Sequence, residues 1–155
     1  MKKLYRPFLM FALFVLITAC GGDDGPGTPP PTEAELRTGI LTAGTGKWNI
    51  PTAGAVTIGE GANTIDATDL FENFSITFTK TGYTTTGNTP VWARSGTWSF
   101  TNDTGTVFKR EDNVEVTIIE ISDTAMKLSL QWDQTTYEDG RSNSLAGKHV
   151  FTFLK

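Results

Sequence analysis

A chain of 155 residues, 38% hydrophobic, 19% charged and 11% aromatic, is long enough for one small domain and too short for a multi-domain enzyme. One Cys and one His exclude disulfide scaffolds, zinc clusters and Cys/His catalysis. The net charge of −4, which becomes −7 if Lys2, Lys3 and Arg6 leave with a leader, argues against nucleic-acid binding.

The chain starts with a basic segment (Lys2, Lys3, Arg6), an apolar run from Phe8 to Ala19 and then Cys20. As a helix that run spans about 18 Å, short of the roughly 30 Å hydrocarbon core, so residues 1–19 are expected to be a cleaved signal peptide rather than a membrane span. Ile17-Thr18-Ala19-Cys20 resembles the lipobox of bacterial lipoprotein precursors. That resemblance implies a diacylglycerol on the Cys20 sulfur and cleavage that leaves Cys20 N-terminal. Each buried CH₂ of such chains contributes about 0.8 kcal/mol, so several chains hold a domain on a bilayer. The alternative is an ordinary secretory signal with a coincidental Cys. Gly21 follows the Cys where an acidic residue favours inner-membrane retention in enterobacteria, so the implied address is the outer membrane. Gly21-Gly22-Asp23-Asp24 resembles the acidic surface-export signal of Bacteroidota lipoproteins, with the cell surface and the periplasmic face both open. Residues 20–31 read as the lipidated Cys and a Gly/Asp/Pro tether without large apolar groups, able to reach roughly 30 Å at about 3.1 Å per residue.

Residues 32–155 are expected to form the domain. Thr32 to Leu41 predicts one short helix, with Thr32 as cap, Glu33 and Glu35 in the first turn, and Leu36, Ile40 and Leu41 on one face. Beyond Gly44 the period changes to two. Phe74, Ile76 and Phe78 alternate with Ser75, Thr77 and Thr79. Gly96, Trp98 and Phe100 alternate with Thr97, Ser99 and Thr101, and Met126, Leu128, Leu130 and Trp132 with Lys127, Ser129, Gln131 and Asp133. Turns fall at Thr81-Gly82, Asn102 to Gly105, Glu111 to Asn113 and Ser122 to Thr124. The last strand, Lys148 to Leu154, is apolar on both faces and calls for an outer cover, for which the Thr32–Leu41 helix is the candidate. About eight antiparallel strands in such a chain close into an up-and-down barrel more economically than they leave two open edges; a two-sheet sandwich is the other closure. The expected fold class is therefore all-β, an eight-stranded antiparallel barrel with one N-terminal helix. The strands are too short and too Thr-rich outside for a membrane-spanning barrel.

Gly46-Lys47-Trp48 opening the first strand looks like the G-x-W of lipocalins. The pieces Asp69 to Phe74, Ser95 to Phe100 and Gly147 to Phe153 are similar to the lipocalin-like domains of Bacteroidota lipoproteins. The resemblance implies a lipocalin-like barrel and a cup for a small hydrophobic or amphipathic ligand. It departs from lipocalins in lacking an Arg on the last strand to stack on the first-strand Trp; Lys148 is the nearest cation.

Trp98 and Trp132 lie on apolar faces and are assigned to the core, and Trp48 to the closed base. Trp92 follows Pro90 in a loop with Arg94 two residues on, so Trp92, Arg94 and Trp48 are the ligand-binding candidates. The pairs Glu111-Asp112 and Glu138-Asp139 fall in turns, where adjacent carboxylates diverge into solvent instead of facing each other across a cleft. His149 has no Cys or second His to complete a ligand set, and Ser142 and Ser144 are near it only in sequence, so it reads as a strand histidine with its hydrogen bonds satisfied. Asp123-Thr124-Ala125 resembles a Bacteroidota O-glycosylation acceptor and is equally explained as a hairpin turn. The expectation is a non-enzymatic module without cofactor or metal. Its partners would be the membrane through Cys20 and either a small hydrophobic ligand in the barrel or a protein or glycan at the loops.

Overall fold

The computed structural model describes residues 29–51 and 53–155. The expected signal peptide, Cys20 and most of the expected tether lie outside them. Helix α1 (Glu33–Thr42) is followed by β1 (Lys47–Asn49), β2 (Val56–Ile58), β3 (Ile65–Asp66), β4 (Ser75–Phe78), β5 (Gly82–Thr86), β6 (Ser95–Phe100), β7 (Val107–Arg110), β8 (Glu115–Ile121), β9 (Ala125–Trp132), β10 (Thr136–Glu138), β11 (Arg141–Ser144) and β12 (Gly147–Leu154). Eight of these strands, in the order β1-β4-β5-β6-β7-β8-β9-β12, form an antiparallel sheet that closes where Asn49 of β1 meets Leu154 of β12. The expected barrel is present. β2 pairs with the first half of β12 and carries β3 on its far side, so β1 and β2 run along the same flank of β12 with an irregular link between them. β10 and β11 form a separate hairpin.

The alternation sets which residues enter the barrel. Phe74, Ile76 and Phe78 point inward, as do Met126, Leu128 and Leu130, and Phe151 and Phe153. Ser75, assigned to the wet face of its strand, is instead buried, where its hydroxyl meets Thr86 Oγ1 at 2.7 Å. Between β8 and β9 the register shifts at Ile118/Glu120, and this bulge leaves Ile119 exposed.

The short connections of the barrel lie at one end, and α1 closes that end. Thr32 caps the helix, accepting from Glu35 N while the Glu35 carboxylate accepts from Thr32 N, a complete capping box. Ala34 N donates to Asp103 O in the β6–β7 turn (3.1 Å), and Leu41 is fully buried over the core. The helix therefore stops one end of the barrel and does not cover the outer face of β12. There Val150 lies between Thr57 and Ser129 of the flanking strands, and Leu154 is exposed. Gly46, at φ +67, lets the chain turn from the helix into β1; a side chain there would strike the Phe78 carbonyl, whose amide donates to Gly46 O (2.9 Å).

Candidate functional site

The connections at the opposite, open end are residues 50–74, 87–94, 111–114 and 133–146, three of them longer than any at the helix end. In a hollow barrel this end would be a mouth. Here side chains fill it. Phe151 forms the hub, with ring centroids 5.1 Å from Phe71, 6.0 Å from Phe74, 5.9 Å from Trp92 and 6.0 Å from both His149 and Phe153. Toward the helix end a second aromatic set, Phe78, Trp98, Phe100 and Phe108, continues the filling edge to face. One solvent-open concavity at this end is lined by Ile50, Pro51, Thr68, Phe71 and Glu72, so it borders the packed aromatic set at Phe71.

Trp92 belongs to this filling. The reading of it as an exposed contact beside Arg94 is corrected: the loop folds back over the mouth, and Trp92 is 3% exposed. Its ring meets Tyr83 edge-on at 5.6 Å, and the Arg110 guanidinium lies 4.8 Å from its centroid. Arg94 stays exposed and donates to Gly87 O (2.8 Å), so the two residues do not form one surface. The loop is pinned at its ends. Asn88 N and Nδ2 donate to Glu72 O and Leu70 O (both 2.8 Å), and Thr85 N and Oγ1 donate to Arg94 O and Ala93 O (2.9 and 3.0 Å). Gly87, at φ +76, packs where a Cβ would collide with the Asn73 carbonyl.

Trp48 sits at the other end, fully buried, with Nε1 donating to Leu41 O at 2.9 Å. The cation over its ring is Lys155, whose Nζ lies 4.6 Å from the centroid and donates to Ile40 O (3.1 Å). Lys148, nearest in the linear reading, pairs instead with Glu60 on the outside (3.0 Å). The cation expected on the last strand is thus supplied by the residue just after it.

Arg110 was missed in the sequence, although it shares the inward parity of Phe108. It is 3% exposed, donates from Nη1 to Val91 O (2.8 Å), and is forked by the Asp112 carboxylate. Burial opposes ionisation of Asp112, but the hydrogen bond and charge of Arg110 outweigh it and hold that carboxyl below its ordinary range. Its neighbour Glu111 accepts from Thr97 N (3.1 Å), so the two carboxylates have separate structural jobs. His149 is fully buried between the Phe71 and Phe151 rings, and its Nδ1 lies 3.1 Å from Gly147 O. Burial, opposed by that contact, pushes its pKa down. Its Nε2 has no partner, so it is less satisfied than expected. Thr124 is exposed in the β8–β9 turn, as either reading of its tripeptide requires. Among the described residues no group of three or more His, Cys, Asp or Glu is placed to hold a metal ion.

The class this architecture defines is a closed eight-stranded antiparallel β-barrel with a helical stopper, consistent with a lipocalin-like fold. No protein-family model, curated protein or solved structure matches the chain.

Proposed function

We propose that the protein is a non-enzymatic envelope lipoprotein, held on the outer membrane through Cys20, whose filled barrel is a rigid scaffold for loops that meet a protein or glycan. The observation that carries this reading is the interior: Trp48, Phe71, Phe74, Phe78, Phe108 and Phe151 are all under 2% exposed and occupy the space a resident ligand would need. Recognition then falls to the outside. The described chain begins at Pro29, just ahead of α1. A lipid anchor upstream would hold the domain by its helix end and turn the open-end connections away from the bilayer. Of these the β10–β11 hairpin offers the most exposed large hydrophobic side chain, Tyr137, at 72%. An amphipathic ring exposed on a hairpin strand suits stacking on a sugar or seating in a partner's pocket. Of the carboxylates near the mouth, Asp112 is engaged with Arg110 and Glu111 with Thr97, and His149 is walled by aromatics, which favours a binding role over hydrolysis.

The test is photo-crosslinking in the producing cells, with a photoreactive residue at position 137 and, as control, at exposed Thr84 in mid-strand. A discrete adduct at 137 and none at 84 is the expected result. Equal labelling at the two positions refutes the loop reading. Native mass spectrometry of the gently purified protein adds a second readout: a bare polypeptide mass is expected, and a stoichiometric small molecule would move the assignment to a ligand carrier.

A further inference from the structure

A helix on the surface of a domain ordinarily turns its apolar residues to the core and its charges to water. α1 departs from this. Leu41 is fully buried and the half-buried Arg37 runs its stem over Gly105, whereas Leu36, Gly39 and Ala43 are exposed on the side away from the barrel. Leu36 is 47% exposed, and a Cβ on Gly39 would meet nothing within 4 Å. The helix's carboxylates are confined to its first turn, where Glu35 closes the capping box on Thr32 and Glu33 stands beside it. A further exposed apolar side chain, Leu154, lies on the same rim next to Lys155, whose Nζ bonds Ile40 O. Cations gather round the C-terminal half of the helix. Lys80 of the β4–β5 turn lines a solvent-open concavity with Glu35, Gly39 and Thr42, and Lys47 opens β1 just beyond Gly46. Among the described residues neither Lys47 nor Lys80 pairs with a carboxylate. The other acids of this end are Asp103, whose carbonyl meets the first turn of the helix at Ala34 N, and Asp123 in the β8–β9 turn.

We propose that the outward side of α1, from Leu36 to Ala43, docks on the phospholipid bilayer, with Leu36 in the headgroup layer and Lys47 and Lys80 on lipid phosphates. The barrel then stands on its helix end with the open end outward. This rests on the lipid anchor at Cys20 proposed above. Eight residues separate Cys20 from Pro29 and extend to roughly 30 Å at most, so an anchored domain stays at the surface, and α1 is the first element the tether meets. A linker that short presents the helix to the lipid at an effective concentration on the order of millimolar, so a contact too weak to hold the domain from solution is occupied in the anchored protein.

The experiment uses the full chain, purified in detergent from the membranes of the producing cells and reconstituted into vesicles of phosphatidylglycerol and phosphatidylethanolamine in equal parts. With the single native cysteine held as a thioether, Gly39→Cys supplies the only free thiol for a polarity-sensitive maleimide dye, and Thr84→Cys, exposed in mid-strand, is the control. The expected result is blue-shifted emission at position 39 that doxyl-labelled lipid quenches, with water-like, unquenched emission at position 84. Adding Leu36→Glu, or Lys47→Glu with Lys80→Glu, should abolish the blue shift at 39 while the protein stays on the vesicles. All three side chains are exposed, so the circular dichroism spectrum should not change. Water-like emission at 39 in vesicle-bound protein, or equal quenching at 39 and 84, overturns the docking and leaves the anchor standing. Wild-type protein that takes the dye at Cys20 and stays off the vesicles has no anchor, and overturns both.

Discussion

Phe151→Ala decides whether the barrel is packed or hollow. Phe151 is fully buried at the centre of five aromatic neighbours, on a strand held by β9 on one side and by β1 and β2 on the other. Truncation removes about 150 Å² of apolar surface from burial, worth about 4 kcal/mol at about 25 cal/mol per Å². Flanking strands cannot collapse into the gap, because their spacing is set by the closed ladder, so measured costs of about 3 to 5 kcal/mol for such truncations apply without much relief. For a domain of this size that is a fall of about 12 to 20 °C in Tm. Urea unfolding followed by far-ultraviolet circular dichroism reads it directly, with an unchanged slope showing that the native state stays compact. A loss below about 1 kcal/mol would mean that the ring borders empty space, and the filled-barrel reasoning would fail.

His149 makes stability depend on pH. Its folded pKa lies below the unfolded value of 6.5, so the unfolded chain binds the extra proton first and stability falls as pH drops below 6.5. Tm should decline from about pH 7.5 to about pH 5.5 in wild type, with a shallower slope in His149→Leu; parallel slopes would contradict the burial argument. Arg110→Met strips the donor from Val91 O and the partner from Asp112, whose side chain is 41% exposed and keeps some water, so about 2 to 3 kcal/mol should be lost in urea unfolding. Arg110→Lys should recover less than half, since an ammonium cannot reproduce the fork. Lys155→Ala should cost about 1 kcal/mol through the Trp48 face and the helix carbonyl, and Lys155→Arg should retain it; equal losses would assign the effect to something other than the cation.

Much of the barrel was readable in the linear chain because both of its signals are local. The two-residue alternation of Phe74-Ile76-Phe78 and Met126-Leu128-Leu130 is a property of each strand alone, and Thr32 with Glu35 completes a cap within one turn. The number of barrel strands, the turn positions and the single α-helix follow from such signals, whereas the short added strands β2, β3, β10 and β11 were not read from them. Placement of α1 did not, because an amphipathic helix can lie on a face or across an end, and the choice rests on where Leu41, Asp103 and Lys155 meet after closure. The same limit explains Trp92. Pro90, Trp92 and Arg94 look like an exposed loop in sequence, whereas burial is decided by whether a mouth stands open beside that loop to receive the indole. Arg110 carried a legible sign, a cation on the inward parity of its strand, but its partners Val91 and Asp112 could be named only once the loop had folded over it. The chain by itself determined which apolar side of each alternating strand faces the core, since that is a matter of period; only the closed sheet decided which further residues, Ser75, Trp92 and Arg110 among them, are buried with it, since that depends on contacts between segments far apart in sequence.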